Sequence, residues 1–407
     1  MIKTLRVMLI PNKKQAARLF QFAGTARFAF NWALEQEQKN YDAGGKFISD
    51  YELRKMFTTF KNESSNGWLY TISNNVCKQA IKDAVIAYQK FFKGLARHPN
   101  YKSRKRSRPS FYVDPVKIRF TSTHVKLENI ARSQKRNRQC ANWFRLSEHD
   151  RIPSGEKYSN PRVTFDGLNW FLTVGVECED TEAVPSTNDG IGIDVGVKDL
   201  AICSTGQVFR NINKTSRVRR LKKKVRRLQR KISRKYIKNK KGESHQKTRN
   251  IVRSEKQLLR VTHWLTNIRT NYIHQVSTEL VKREPSFIVL EDLNVAGMMK
   301  NRHLARAVQE QKLAEFYRII QYKCVWHGIR LITADRFYAS SKLCSVCGYK
   351  KPDLKLSDRI YRCEHCGTMI DRDYNASLNL YHYGKSLSVF TTNNSSLTRE
   401  YWDVPVR

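Results

Sequence analysis

Residues 191–196 read Ile-Gly-Ile-Asp-Val-Gly, and residues 288–292 read Ile-Val-Leu-Glu-Asp. Both are short apolar runs that predict buried strands, and each carries an acidic residue, Asp194 or Glu291, at or near its end. An unpaired carboxylate in a buried strand is costly, so an acid in that position needs a partner or a function. The two segments therefore predict a sheet with candidate functional carboxylates at its edge.

A third acidic residue, Asp373, begins the run Asp-Tyr-Asn-Ala, which has the character of a helix start. Carboxylates that a fold brings together can hold two Mg²⁺ ions, one activating a water and the other stabilising the leaving oxygen. Any one acid alone is more often a helix cap or an ion-pair partner. Three in these settings favour a catalytic metal site, and we expect Asp194, Glu291 and Asp373 to bind two Mg²⁺ for phosphodiester hydrolysis.

The charge of the chain points to a polyanionic partner. Its 407 residues include 76 Lys and Arg against 36 Asp and Glu, a formal net charge of +40. Self-repulsion on this scale is relieved by nucleic acid through counterion release, and an anionic membrane surface is the alternative. No apolar run approaches the roughly 20 residues that span a bilayer, and the apolar stretch within residues 1–11 is too short for a signal peptide. We expect a cytoplasmic or nucleoid-associated protein.

Four of the nine cysteines form two Cys-x-x-Cys pairs that are fifteen residues apart. This spacing is typical of a tetrahedral four-cysteine zinc ribbon, and a glycine follows each pair where a tight turn is needed. Closed sites of this kind are structural, and the scattered remaining cysteines favour a reducing compartment. The pattern predicts one structural Zn²⁺ held by Cys344, Cys347, Cys363 and Cys366.

Residues 214–241 contain sixteen Lys and Arg and no acid. Apolar residues recur there at steps of three and four, which predicts a helix with a narrow apolar seam that residues 258–268 could cover as an antiparallel helix. Repulsion among the cations disfavours this helix unless an anion binds, so a phosphate-binding face is expected rather than a solvated one. The candidate phosphate ligands are Arg219, Lys223, Arg226, Arg227 and Arg230.

Weaker signals for nucleic-acid contacts lie elsewhere. Asn74 and Lys78 are four residues apart on a predicted helix and could read base edges in a groove, with ordinary polar surface as the alternative. A basic loop at residues 94–109 adds Lys102 and Arg104 as candidates. Arg372, beside Asp373, could approach a phosphate.

The order of predicted elements divides the chain. Residues 12–93 have helical periodicity after an N-terminal strand that Pro11 ends. Alternating segments follow, with a hairpin around Asp166-Gly167, and predict a small β-barrel. Residues 179–188 resemble a linker. From Gly190 onward, strands interleaved with helices predict a three-layer α/β domain.

The motifs together resemble the transposon-encoded TnpB family over about residues 1–385. The segments Gly-Ile-Asp-Val-Gly-Val-Lys-Asp (192–199), Ile-Val-Leu-Glu-Asp-Leu-Asn-Val-Ala-Gly-Met (288–298) and Asp-Arg-Asp-Tyr-Asn-Ala (371–376) look like the three RuvC motifs of that family. The run Ser-Ser-Lys-Leu-Cys-Ser-Val-Cys-Gly (340–348), which leads into the zinc ribbon, is also similar.

This resemblance implies a multidomain protein of α+β and α/β class. Its parts would be an RNase H-like (RuvC) nuclease domain with an inserted Cys₄ zinc ribbon, a β-barrel wedge domain and a helical recognition domain. The expected boundaries are 1–10 for a wedge strand, 11–105 for the recognition domain, 106–186 for the wedge, 187–336 for RuvC with a basic hairpin at about 214–275, 337–369 for the ribbon, 370–390 for a final RuvC segment and 391–407 for a mobile tail.

The family binds a guide RNA from the transposon end and cuts double-stranded DNA next to a short transposon-adjacent motif, with sequence read by base pairing. The resemblance thus implies a Mg²⁺-dependent endonuclease, with a monomeric protein in a ribonucleoprotein. Two alternatives stay open. One is a nuclease-silent, RNA-guided repressor, against which the three intact acids argue. The other is a transposase acting on transposon-end DNA, because such acids also serve transposases.

Overall fold

The computed structural model describes residues 2–128, 142–179, 188–242, 244–355 and 357–392. They form two compact units, one within Met1–Glu179 and the other from Asp180 onward. The linker predicted at 179–188 lies outside the described residues except at its two ends. Of the tail predicted at 391–407, the part after Thr392, where the last described helix ends, lies outside the described residues.

The first unit combines three α-helices with one sheet in its described part. The helices are α1 (Lys13–Asp42), α2 (Asp50–Asn62) and α3 (Asn74–Phe92), with a 3₁₀ helix at Ser64–Thr71. The strands are β1 (Ile2–Ile10), β2 (Ser110–Tyr112), β3 (Arg119–Phe120), β4 (His124–Lys126), β5 (Trp143–Leu146), β6 (Tyr158–Phe165) and β7 (Trp170–Glu177).

The sheet of the first unit is antiparallel, with the strand order β2-β6-β7-β1-β5-β4-β3. The predicted N-terminal strand is confirmed as β1, which ends directly before Pro11. The predicted hairpin is also confirmed: Gly167 has a φ of +101°, and the Asp166 carboxylate accepts the Asn169 amide at 2.8 Å. Closure of this sheet into a barrel stays a prediction.

Helices and sheet of the first unit share one hydrophobic core. The rings of Phe22 from α1 and Phe111 from β2 lie 5.4 Å apart. Arg162 of β6 donates to both carboxylate oxygens of Asp83 on α3, at 2.7 and 2.8 Å. The boundary predicted at residues 105 and 106 therefore falls inside one compact unit, because the apolar faces of the helices cover the sheet.

The second unit contains the remaining elements. Its strands are β8 (Ile191–Val195), β9 (Asp199–Cys203), β10 (Val208–Arg210), β11 (Lys240–Lys241), β12 (Ser244–His245), β13 (Phe287–Glu291), β14 (Arg330–Ala334), β15 (Ile360–Arg362) and β16 (Met369–Asp371). Its helices are α4 (Ser216–Lys238), α5 (Arg249–Val281), α6 (Val295–Lys300), α7 (Ala305–Gln311), α8 (Leu313–Trp326) and α9 (Arg372–Thr392), with a 3₁₀ turn at Ile212–Lys214.

The main sheet of the second unit has the order β10-β9-β8-β13-β14. Strands β8, β13 and β14 are parallel, and β9 and β10 are antiparallel to their neighbours. Ile288 and Leu290 pack with α5 and α8 on one face, whereas Phe287 and Val289 pack with α9 on the other. Helices on both faces give the three layers that the sequence predicts, and the nearly continuous apolar runs of the strands follow from burial on both sides.

The basic helix predicted at residues 214–241 is α4, and α5 returns antiparallel against its seam as expected. Val218, Leu221 and Leu228 form a small core with Val261 and Leu265 of α5. One acid from outside the hairpin anchors it: Glu310 of α7 pairs with Lys222 and, at 3.5 Å, with Arg269. Among the described residues, every helix is too short or too polar to cross a membrane.

Candidate functional site

Strand register brings Asp194 and Glu291 to the same edge of the sheet. Asp194 is the fourth residue of β8, and Glu291 is the last residue of β13. The two strands are parallel neighbours in which Ile193 lies opposite Leu290. One further residue along each strand therefore sets the two carboxylates side by side at the carboxyl ends of the strands, where open α/β sheets bind ligands.

Helix α9 brings Asp373 to this edge. A Cβ atom added at Gly192 would lie 2.2 Å from the Ser377 carbonyl oxygen and 2.3 Å from the Tyr381 amide nitrogen, so the α9 backbone rests directly on β8. Glycine permits this approach because it has no side chain. Asp373 lies in the first turn of α9, and Asp371 caps the helix by accepting the amides of Asp373 and Tyr374 at 3.0 Å.

The three carboxylates affect one another electrostatically. Burial raises the pKa of Asp194 well above its ordinary value, and the charges of Glu291 and Asp373 raise it further. Burial also raises the pKa of Glu291, against a hydrogen bond from Ser340 that lowers it. Like charges held in a poorly solvated site shift pKa values in this direction, and a bound cation would reverse the shift.

Neighbouring side chains hold two of these acids. The Ser340 hydroxyl donates to Glu291 Oε1, and the Tyr317 hydroxyl donates to the Glu291 carbonyl at 2.9 Å. Arg372 pairs with the Asp373 carboxylate at 3.0 Å, so the guanidinium that the sequence offers to a phosphate contacts an acid in this structure. Asp292 pairs with Arg336 at 2.6 Å and is oriented by that contact.

The acidic side chains supply oxygen donors, which are the ligands that Mg²⁺ prefers. Within the described ranges, the four cysteines are the only group of three or more His, Cys, Asp or Glu ligand atoms that all lie within 4.8 Å. Mg²⁺ usually keeps several waters and takes only one or two carboxylates, so the oxygen donors of Asp194, Glu291 and Asp373 fit it.

The four predicted zinc ligands come together. The Sγ atoms of Cys344 and Cys366 are 3.7 Å apart, and those of Cys347 and Cys363 are 3.5 Å apart. A tetrahedral ion with Zn–S bonds of about 2.3 Å needs sulfur atoms about 3.8 Å apart, so the cluster fits zinc. Hydrogen bonds with Thr368 lower the pKa of the Cys366 thiol to about 6, which favours the thiolate that a metal requires at this position. Against a backbone hydrogen bond at Tyr349, burial and the other three cysteines raise the pKa of the Cys347 thiol to about 12.

Helix α9 ties the cysteine cluster to the acidic edge, which the sequence analysis missed. The buried Asn379 amide donates to the carbonyls of Ser340 and Leu343, both at 2.7 Å. Asn375 donates to the Leu343 carbonyl at 2.6 Å and accepts the Ser345 amide at 3.0 Å. The segment that carries Ser340 is thereby fixed between Glu291 and the first cysteine pair. The only sequence signal was the polar run Ser-Ser-Lys before Cys344.

On α4, all five predicted phosphate ligands, Arg219, Lys223, Arg226, Arg227 and Arg230, are exposed. Their common exposure is compatible with a polyanion-binding face.

The other candidates differ in their surroundings. Asn74, Lys78 and Arg104 are exposed, and the Asn74 amide oxygen accepts from Lys61 at 3.1 Å. Lys102, in contrast, is half-buried with its ammonium 3.4 Å from the centre of the Phe30 ring, and burial lowers its pKa. Lys102 therefore has a packing role in this structure.

Three family descriptions match parts of the chain. "Helix-turn-helix domain" covers residues 1–46, "Probable transposase" covers 173–302, and "Cas12f1-like, TNB domain" covers 314–380. The last range contains the cysteine cluster and Asp373. Residues 2–46 hold β1 and the single helix α1, so the first description matches a sequence pattern rather than two helices here.

Similar proteins cover nearly the full chain. A "Putative RNA-guided DNA endonuclease" of Streptomyces pristinaespiralis is 31% identical, over 95% of this chain and 90% of its own length. The protein of the same description named InsQ, from Escherichia coli K12, is 27% identical over 95% and 93%. Among solved structures, a Cas12f1–sgRNA–target DNA complex contains a chain that matches with a TM-score of 0.54, over 90% of this chain and 82% of that chain. The two sequences are 15% identical, so this match shows likeness of fold alone.

Proposed function

This chain belongs to the TnpB family, and from that premise we propose that it is an RNA-guided, Mg²⁺-dependent endonuclease of RuvC type. Its substrate would be double-stranded DNA next to a short transposon-adjacent motif. The observation that carries the proposal is the convergence of Asp194, Glu291 and Asp373 at one edge of the sheet in the second unit, where burial and then the charges of the other two acids raise the pKa of Asp194.

The catalytic assignment gives each acidic residue a role. Bound Mg²⁺ would supply Lewis-acid chemistry, activating a water and stabilising the leaving oxygen. Asp194 and Glu291 would hold it from adjacent strand ends, and Asp373 from the first turn of α9. Ser340 keeps the Glu291 carboxylate in one orientation, and Arg372 neutralises Asp373 until a cation competes for it. Catalysis then depends on positioning and charge, as phosphate chemistry generally does.

The partners follow from the basic surfaces. The exposed cations of α4 would bind phosphates of a guide RNA and of its heteroduplex with target DNA, while base pairing supplies sequence recognition. Asn74, Lys78 and Arg104 of the first unit remain candidates for contacts to the adjacent motif. The cysteine cluster would hold one structural Zn²⁺. We propose one protein molecule per ribonucleoprotein, in the cytoplasm or on the nucleoid.

A transposase is the second candidate, because residues 173–302 match a family described as "Probable transposase". It would use the same acids to cut and join transposon-end DNA. Strand-joining products with transposon ends, formed without a guide RNA, would support it. A nuclease-silent repressor remains the alternative within the guided class, and the three acids at one edge argue against it.

The first experiment isolates the protein after expression with its native 3′ flanking DNA and sequences the RNA that co-purifies. The proposal expects one abundant species that ends in a variable segment. A smear of cellular RNA, or none, would contradict guided recognition.

A second experiment separates cutting from silent binding on a plasmid that matches the guide. Asp194→Ala should abolish Mg²⁺-dependent cutting while binding persists. Asp189→Ala, at an exposed residue before β8, is the matched control and should cut normally. Equal cutting by wild type and Asp194→Ala would refute the catalytic assignment.

A further inference from the structure

Phe337 is 90% exposed, the largest exposed fraction among the large apolar side chains of the described residues. Single exposed apolar residues are common and usually need no explanation. The loop between β14 and the first cysteine pair differs from an ordinary surface loop, however, because its backbone and both flanks of Phe337 are fixed by specific bonds.

The backbone of this loop is tightly held. The Phe337 amide donates to the Asp335 carboxylate at 2.7 Å, and the Tyr338 amide donates to the Asp335 carbonyl at 3.0 Å. The next ring, Tyr338, is half-buried against Tyr383 with centroids 4.8 Å apart, and its hydroxyl donates to the Asn379 carbonyl at 3.1 Å. The backbone at Phe337 is therefore held in place with its ring exposed, whereas the ring of the next residue, Tyr338, is packed against α9.

Both flanks of Phe337 contact the acidic edge. Arg336 pairs with Asp292, and Ser340 donates to Glu291, which are consecutive residues at the end of β13. Three residues of chain reach about 11 Å at most, which bounds the distance between the Cα atoms of Phe337 and Ser340. The side chains of Phe337 and Ser340 and the reach from Ser340 to a phosphate held at Glu291 add roughly 10 Å to this bound. A stacked strand rises about 3.4 Å per nucleotide, so the ring lies within roughly six nucleotides of such a phosphate.

We propose that Phe337 stacks on an unpaired base of the DNA strand that is being cut, within about six nucleotides of the scissile phosphate. A nucleobase suits an exposed phenyl ring because every base has a π face, and stacking tolerates any sequence. A protein partner is less suited, since the neighbouring Arg336 and a net charge of +40 favour a polyanion. This inference rests on the proposed nuclease function and adds a contact that positions the DNA strand relative to the acidic edge.

The test compares cutting by the complete ribonucleoprotein on matched target DNA. Phe337→Ala should cut about tenfold more slowly, as expected for the loss of one stacked base. Phe337→Tyr keeps the ring and should cut like wild type, whereas Phe337→Leu keeps apolar bulk without a π face and should resemble the alanine variant. Tyr41→Ala, at a residue that is 74% exposed in the first unit, is the control and should have no effect.

An abasic scan identifies the base. Among abasic sites placed within about six nucleotides of the cut, one should slow wild type by a factor similar to that of Phe337→Ala, and this site should not slow Phe337→Ala further. Wild-type rates for Phe337→Ala or Phe337→Leu would overturn the proposal. The proposal would also be overturned if the effects of Phe337→Ala and of an abasic site on the cutting rate were additive at every position.

Photo-crosslinking supplies a readout that needs no cutting. Asp194→Ala protein with guide RNA and 5-iodouracil-substituted target DNA should give a crosslinked peptide containing Phe337 from one substituted position. Failure of wild type to cut any guide-matched DNA would refute the proposed function but leave this contact testable. Absence of the Phe337 peptide among the crosslinks, with other peptides present, would refute the stacking itself.

Discussion

Gly192→Ala tests whether the approach of α9 to β8 sets the catalytic geometry. The added Cβ would meet two backbone atoms of α9 at 2.2 and 2.3 Å, where ordinary contacts begin at 3.4 Å. Because backbone atoms cannot turn aside as a flexible side chain can, α9 must withdraw by about 1 Å. Asp373 moves with the first turn of that helix, away from Asp194.

The size of the effect follows from two sources. Overpacking of a tight core site destabilises by about 1–3 kcal/mol, which lowers the melting temperature by about 2–4 °C per kcal/mol in a unit of this size. A misplacement of about 1 Å in a catalytic group can slow a reaction by about 100-fold. We therefore expect a folded variant, slightly less stable, that cuts guide-matched DNA about 100-fold more slowly at saturating Mg²⁺.

The assay pairs single-turnover cutting with thermal unfolding of the same preparation. Gly67→Ala is the control, because a Cβ there meets nothing within 4 Å, and it should leave both quantities unchanged. Binding of target DNA by Gly192→Ala should stay near wild type, since the basic surface is untouched. Cutting within threefold of wild type by a variant of normal stability would refute the packing argument.

Three further predictions concern the same unit. In metal-free protein, Asp194→Asn should raise the melting temperature at pH 8, because the raised pKa of Asp194 means that folding disfavours its ionised carboxylate. This gain should shrink as the pH falls toward the ordinary carboxyl pKa of about 3.9. A lower melting temperature of the variant at pH 8 would contradict the burial argument. Ser340→Ala should slow cutting about tenfold by removing the hydrogen bond to Glu291, with Ser340→Thr restoring it; equal rates for alanine and wild type would show that Glu291 needs no such support. Cys363→Ser should lose bound zinc in elemental analysis and become sensitive to protease between β14 and α9. The control Cys178→Ser, in the first unit, should keep one zinc per chain. Full zinc content in Cys363→Ser would show that this cysteine is not a zinc ligand.

Local patterns predicted much of the second unit. Apolar runs gave β8 and β13, and the regular seam gave α4 together with its antiparallel cover by α5. The cysteine spacing predicted a cluster that the structure assembles. These predictions succeeded because each depends on the periodicity or spacing of nearby residues.

Features that depend on long-range packing were not predictable in the same way. The register of β8 against β13 joins strands separated by a long stretch of chain, and nothing local marks Gly192 as the crossing point of α9. Ser340 has no signal of its own because its partner, Glu291, lies on another element. The burial of Lys102 follows from Asn31, which donates to its carbonyl and accepts its amide at 2.8 Å and so fixes it over Phe30.

The helical region at 12–93 shows a different limit. Apolar periodicity runs through it, but the structure divides it at residues 43–49 and 63–73. Ser49 starts α2 with a capping box to Glu52, and Ser73 caps α3. These serines are recognisable start signals once the breaks are known, whereas the apolar pattern alone continues across them.

Reprogramming of the guide tests the central claim most directly. The variable 3′ segment of the co-purified RNA is replaced with a new sequence, and cutting is measured on two plasmids that carry the old or the new target next to the same adjacent motif. The account predicts that Mg²⁺-dependent cutting moves entirely to the new target and disappears in Asp194→Ala. Cutting that stays at the old site, or that persists in Asp194→Ala, would contradict it.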